Sequence, residues 1–240
     1  MAALTDPLIE VASRVTRLPS KDRWVLRGGL VMRAWLSPDP RPVDDVDFLV
    51  RAKTFDEVRA LVVEAFPESF PDAFEETWSE TDFPALRGTL VTGDTVVQVD
   101  VGWGDPLPVP NESLTLAGSS FEVPAREVMF AWKVHGLFER GPGRWRPKDL
   151  LDVARMMRRC DLQTEVLSTT LVTAFQSRGD DFTVCQRLFD GEFGRSRGSR
   201  RRWKKFRSAR PDAPDDHLAL LDAVAAFLRP LMNRSRMSGP

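Results

Sequence analysis

The stretch Trp24-Val25-Leu26-Arg27-Gly28-Gly29-Leu30-Val31-Met32-Arg33-Ala34-Trp35-Leu36 decides the reading of this chain, together with Val43-Asp44-Asp45-Val46-Asp47-Phe48-Leu49-Val50 beyond a polar, proline-rich link. The first part predicts an apolar strand over 24–27 that runs into two glycines and a helix over 30–36. That helix is apolar almost all round and therefore buried. The second part predicts a strand over 46–50. Strand side chains alternate between faces, so Asp45 and Asp47 point the same way and Asp44 points away. Two carboxylates held side by side repel, and burial raises the cost. A divalent cation removes that conflict. Glycines at a helix start leave backbone N–H groups free to meet phosphate oxygens. Metal-holding carboxylates beside a phosphate cradle point to nucleotide chemistry.

Working outward, Leu86–Val91 and Thr95–Val101 flank Thr92-Gly93-Asp94, a hairpin signal. In the second of these strands Val97, Val99 and Val101 face one way, and Gln98 and Asp100 the other. If this strand neighbours the one that carries Asp45 and Asp47, three carboxylates converge. Such a triad suits two Mg²⁺ ions and a nucleoside triphosphate, one ion activating an attacking hydroxyl and the other stabilising departing pyrophosphate.

The rest of the chain falls into two kinds of pattern. Residues Leu8–Leu18 predict a short helix. Phe55–Phe66 is an amphipathic helix, with Val58, Leu61, Val62 and Phe66 at helical spacing, Thr54 as N-cap and Pro67 as its stop. Pro106–Pro110 reads as a loop and Ser113–Val123 as a small hairpin. After Pro124 only helices are expected, over 125–140, 147–159, 162–176 and 215–232, with Gly141-Pro142-Gly143 between the first two. Pro147 suits a first helical turn. The expectation is an α+β protein: a mixed sheet flanked by helices over 1–123, then an all-helical half over 124–240 that completes the active site.

Composition narrows the class. Hydrophobic residues make up 42% and charged residues 29% of the 240, which fits a globular chain rather than a disordered one. The net charge of −1 conceals an uneven distribution. Asp44–Asp105 holds 15 acids against four bases, whereas Arg195–Arg210 holds nine bases and no acid. An acidic half suited to Mg²⁺ is thus joined to a half with a basic stretch. Cys160 and Cys185 make neither a disulfide framework nor a metal motif, and His135 and His217 leave little for zinc. Met1–Glu10 lacks the basic region and apolar core of a signal peptide, and no apolar run approaches a membrane span. The expected setting is cytoplasmic.

Four stretches, in this order, resemble the AbiEii/AbiGii toxin family of nucleotidyltransferases, within the superfamily of the DNA polymerase β-type fold. They are Leu26-Arg27-Gly28-Gly29-Leu30, Arg41-Pro42-Val43-Asp44-Asp45-Val46-Asp47, the helix Glu127–Leu137 with central Lys133, and Arg146-Pro147-Lys148-Asp149-Leu150-Leu151-Asp152-Val153. Trp203-x-x-Phe206 and Phe227-Leu228-Arg229-Pro230-Leu231 are also similar. One departure is Val43, where the family has a threonine; a hydroxyl suited to phosphate or loop support is missing.

The resemblance implies the toxin half of a type IV toxin–antitoxin module, with a cognate antitoxin as partner. It implies metal-binding roles for Asp45 and Asp47, with Asp100 completing the metal site or acting as base. Gly28, Gly29 and Arg41 would meet the nucleotide, and Lys133 its phosphates as a point charge. Asp149 would be the second polar group of the helical half, holding Lys133 or reading base or sugar. Asp152, three residues on, lies on nearly the same helix face and competes for that assignment. The implied reaction is transfer of a nucleoside monophosphate from an NTP to a hydroxyl of RNA, the tRNA 3′ end foremost, which arrests translation. Two alternatives stay open: transfer to a small hydroxyl compound, and a noncatalytic RNA- or protein-binding relative.

Other conspicuous residues have plainer readings. His135 reads as a packed or capped histidine and Trp103 as core. The basic segment 195–207 reads as a solvated helix whose Trp203 and Phe206 dock on the core. Its surplus cations suit a phosphate backbone, which makes Arg200, Arg201, Lys204 and Lys205 candidates for RNA contact.

Overall fold

The computed structural model describes residues 6–37, 41–77, 83–141 and 144–237, with side chains up to 232. Pro142 and Gly143 of the expected interhelical break lie outside them. The chain divides into two compact units, residues 1–124 and 125–240.

The first unit opens with α1 (Pro7–Ser13), capped by the Asp6 carboxylate, which accepts from the Leu8 amide. Then come β1 (Trp24–Arg27), α2 (Gly28–Trp35), β2 (Asp45–Val50), α3 (Phe55–Ala65), β3 (Phe74–Thr77), β4 (Ala85–Thr92) and β5 (Thr95–Trp103). Thr54 caps α3 as expected, accepting from the Glu57 amide at 3.3 Å. A separate hairpin, β6 (Glu112–Leu116) and β7 (Ser119–Val123), ends the unit.

The five-stranded sheet has the order β1-β2-β5-β4-β3. β2 and β5 run parallel, and the other pairs antiparallel. A parallel pair needs a long crossover, which α3, β3 and β4 supply. β3 is the strand the sequence reading lacks. Phe-Glu-Glu-Thr has no alternation to mark a strand, and its place is the sheet edge, where pairing with β4 alone holds it.

Alternation gives the sheet two unlike faces. Trp24 and Leu26, Val46, Phe48 and Val50, Val97, Val99 and Val101, and Leu86 and Leu90 share one face and are buried. They form one core with Leu8, Val11 and Ala12 of α1 and Val58, Leu61 and Val62 of α3. Trp24 meets Phe48 edge-on at 5.1 Å between ring centroids. Burying a side chain such as Phe48 contributes about 1.5–3 kcal/mol. That apolar face fixes the register, because a slip of one residue would drive the opposite row of charges into the core.

The second unit contains α4 (Arg126–Phe138), α5 (Pro147–Arg159), α6 (Thr164–Gln176), the short α7 (Gln186–Phe189), α8 (Arg197–Ser208) and α9 (His217–Met237). α4 packs on both α5 and α6. This explains its almost uniformly apolar sequence, since Val128–Ala131 and Val134–Phe138 are all buried. α8 is the basic segment. Ser196 caps it, and Trp203 anchors it, 2% exposed, with its indole N–H donating to the Pro214 carbonyl at 3.0 Å. Among the described residues no helix is long and apolar enough to cross a membrane.

Candidate functional site

The sheet unit gathers its acids by register alone. Parallel pairing sets Asp47 opposite Asp100, and Asp45 lies one strand repeat before Asp47 on the same face. Carboxylate oxygens of Asp45, Asp47 and Asp100 all lie within 4.8 Å of one another. Oxygen donors so grouped, with Asp45 and Asp47 still partly open to solvent and Asp100 buried, fit a hard divalent cation such as Mg²⁺. Asp44 is exposed, as its place between them requires.

The two glycines bring backbone against these acids. Gly28 opens α2 with φ +72°, a conformation that L side chains rarely adopt. A Cβ there would also overlap the Asp47 carboxylate. Gly29 is packed as closely: a Cβ would lie 2.8 Å from Cγ1 of Val43 and 3.3 Å from Nη2 of Arg41. Val43, 9% exposed, therefore fills the space beside Gly29 with methyl groups. Arg41 is as deeply set, and its Nη1 donates to the Pro42 carbonyl at 3.1 Å. A buried guanidinium beside the start of a helix is suited to an anion.

Two further arginines flank the acids, and the sequence reading passed over both. Across the sheet, Arg27 pairs with Asp47, Asp47 with Asp100, Asp100 with Arg87 and Arg87 with Glu75. One row of charge thus spans all five strands. Arg87 grips Asp100 with two hydrogen bonds, from Nε at 2.7 Å and Nη2 at 3.1 Å, and Gln98 Nε2 adds a third at 3.1 Å. The hydrogen bonds to Asp100 raise the guanidinium pKa further, and the charge of Asp47 reinforces them against burial. Arg27 turns to Asp105, 2.5 Å from Nη1. The hairpin held the missing signal: a Gly93-Asp94 turn makes Thr92 face Thr95, and counting back sets Arg87 opposite Asp100.

The helical unit gathers the other candidates. Lys133 of α4 reaches both carboxylates of the first turn of α5, Asp149 Oδ1 at 2.9 Å and Asp152 Oδ2 at 3.1 Å. Asp152 is wholly buried and Asp149 is 2% exposed, so the two acids serve the lysine rather than solvent. Burial pushes the Asp149 carboxyl up, but the Lys133 ammonium beside it outweighs this and holds it below its usual range. Asp149 lies against Gly136, where a Cβ would come within 2.9 Å of Oδ2. That oxygen is buried without a hydrogen bond, and Arg146 Nη1 stands 3.8 Å away. His135 is packed, as expected: its Nε2 lies 2.7 Å from Asp180 Oδ2, and its ring meets Phe175 edge-on. Trp103 lies tilted against Phe55. Arg200, Arg201, Lys204 and Lys205 are all exposed on α8.

Comparison with known proteins agrees with this geometry. The chain is similar in fold to a candidate nucleotidyltransferase from Helicobacter pylori, with a TM-score of 0.55 and 13% identity over 98% of this chain and 96% of that one. It is similar also to JHP933 from H. pylori, with a TM-score of 0.53, 13% identity and the same coverage. No curated protein sequence matches significantly. The profile of the nucleotidyl transferase AbiEii toxin family, of type IV toxin–antitoxin systems, matches residues 12–229. Membership of that family implies a nucleotide substrate and an antitoxin partner. With its glycine-led helix, its aspartate triad and this match over most of its length, the chain belongs to the AbiEii family of nucleotidyltransferase toxins.

Proposed function

We propose that the protein transfers a nucleoside monophosphate from an NTP to a hydroxyl of RNA in a Mg²⁺-dependent reaction, with the tRNA 3′ end as acceptor, and that the loss of usable tRNA arrests translation and growth. The observation that carries this reading is the convergence of Asp45, Asp47 and Asp100 beside Gly28. The acceptor oxygen attacks the α-phosphorus, the bond from that phosphorus to the bridging oxygen breaks, and pyrophosphate leaves with the bonding pair. Asp45, Asp47 and Asp100 would hold Mg²⁺, which when bound polarises the phosphate oxygens and offsets the charge of the leaving group. The backbone amides at Gly28 and Gly29, and Arg41 beside them, present positive charge to the triphosphate. Asp100, the third carboxylate, either completes this metal site or acts as base toward the acceptor hydroxyl. In the helical unit the reading assigns phosphate contact to Lys133, oriented by Asp149 and Asp152.

The test is incubation of the protein with Mg²⁺, each of the four NTPs labelled at the α-phosphate, and total RNA. Label on RNA, lost with Asp47→Asn, is expected. Label on a small hydroxyl compound instead would move the activity to another acceptor. No transfer from any NTP, with tight RNA binding that needs neither Mg²⁺ nor NTP, would mark a noncatalytic relative.

A further inference from the structure

We propose that Arg87 is an acceptor-binding residue: its guanidinium exchanges Asp100 for a phosphodiester of the acceptor strand, and the exchange opens Asp100 to the metal. The inference rests on the reading above that the acceptor is RNA and that Asp100 completes the metal site. The strand order gives the triad two unlike flanks. On one, β1 runs into Gly28 and Gly29, and a Cβ on Gly28 would overlap the Asp47 carboxylate, so the amide cradle lies against Asp47. On the other, β5 pairs with β4, and Arg87 stands directly opposite Asp100. Transfer at phosphorus sets the attacking and leaving oxygens roughly in line. With the triphosphate at the cradle, the acceptor hydroxyl approaches from the Asp100 flank. Arg87 is the one basic residue of β3, β4 and β5, and so the cation of that flank of the sheet.

The contact between Arg87 and Asp100 is of a kind that can be exchanged. Nε and Nη2 donate to the two carboxylate oxygens at 2.7 and 3.1 Å, the same paired bonds with which a guanidinium takes a phosphate. The Arg87 side chain is 34% exposed and that of Asp100 only 11%, so the cation rather than the acid has room to move. A lysine would serve less well here, because a point charge does not hold both oxygens at once.

Arg87 and a divalent cation compete for one carboxylate. Gln98 Nε2 also donates to Asp100 Oδ2, so donors already engage both oxygens of the acid. A cation that joins Asp45 and Asp47 therefore meets a third acid already held by positive charge, and like charges on one carboxylate repel. An acceptor phosphate that draws the guanidinium away removes that repulsion. Acceptor binding and metal binding then favour one another, and coupling of this kind is reciprocal. Water carries no phosphate and does not release Arg87, so the arrangement selects RNA over water as the nucleophile.

The experiment counts Mn²⁺ bound to the full chain by electron paramagnetic resonance, without NTP. It does so with and without CpCpA, a trinucleotide mimic of the tRNA 3′ end, after subtraction of Mn²⁺ held by the trinucleotide alone. In the parent, CpCpA should raise the Mn²⁺ affinity about three- to tenfold, and adenosine, which has no phosphate, should leave it unchanged. Arg87→Gln should bind CpCpA more weakly, and its Mn²⁺ affinity should no longer respond to it. Gln98→Ala removes a hydrogen bond from Asp100 but no charge, and should keep the response. Should Arg87→Gln unfold, Arg87→Lys carries the test, with a response smaller than the parent's. No response in the parent, or an equal one in Arg87→Gln, would overturn the proposal, as would a response to adenosine. A response that needs Arg87, without label transfer in the assay above, leaves this role standing and removes the transferase reading. Label transfer to RNA whose KM for RNA is the same in Arg87→Gln does the reverse.

Discussion

The two charge clusters of this protein are built on opposite principles. In the helical unit one cation, Lys133, is matched by two acids, all three withdrawn from water between α4 and α5. In the sheet unit Asp45 and Asp47 are partly exposed and Asp100 is buried, with Arg27 and Arg87 on the flanking strands. The first cluster is closed and paired, so its charges position one another. The second is more open, with Asp45 bearing no ion pair of its own among the described residues. Carboxylates that face solvent and lack an ion pair have capacity left for a ligand cation; buried, paired ones do not.

The largest effect that would separate the clusters is on chemistry. Asp47→Asn should lower nucleotide transfer at least about 100-fold, since even outer-shell changes at metal sites cost 10–100-fold. Its thermal stability should stay near the parent's, and an active Asp47→Asn protein would remove the sheet row from the reaction. Lys133→Met should act the other way round on stability. It strands two buried carboxylates, and loss of one partner of a buried pair costs about 3–5 kcal/mol. Denaturant unfolding should show this, and a change under about 1 kcal/mol would mean the acids are solvated after all.

Acid sharpens the same contrast. The Asp149 carboxyl is held below its ordinary value of 3.8, so its stabilising share is complete above that value and is lost as pH falls through the lower, folded-state value. Asp149→Asn should therefore be less stable than the parent near neutrality, and the gap between the two melting temperatures should hold down to pH 3.8 and close only as the buffer is taken below it. A gap that stays constant would assign the effect to packing. The smallest effect expected is at Arg87, whose side chain is 34% exposed. Arg87→Gln frees one side of Asp100, so Mn²⁺ binding read by electron paramagnetic resonance should tighten about three- to tenfold without NTP. Weaker Mn²⁺ binding would show instead that Arg87 holds Asp100 in place for the metal.

The sequence made some of these features legible and hid others for physical reasons. Alternation in a strand is local, so the shared face of Asp45 and Asp47 could be read directly, as could the separation of Asp100 from its valine neighbours. The helix α3 carries its own cap, α5 a proline in its first turn and α4 a long apolar run, and their expected spans lie within a few residues of those found. The adjacency of β2 and β5 was only a condition, because a parallel pair is made by tertiary packing and leaves no local mark. Arg87 was within reach through hairpin register. The full burial of Asp152 was not, because a charged residue on an amphipathic helix gives no sign of which neighbours will close over it. The strand Phe74–Thr77 exists only once it meets β4.

The parallel union of β2 and β5 also sets when the aspartate triad is assembled. The first strand of the pair emerges from the ribosome well ahead of the second, and the segment joining them must be made and folded before they meet. A growing polypeptide with only the Asp45–Asp47 pair has no closed aspartate triad. Synthesis therefore includes an interval in which the chain is present and its carboxylate triad is not.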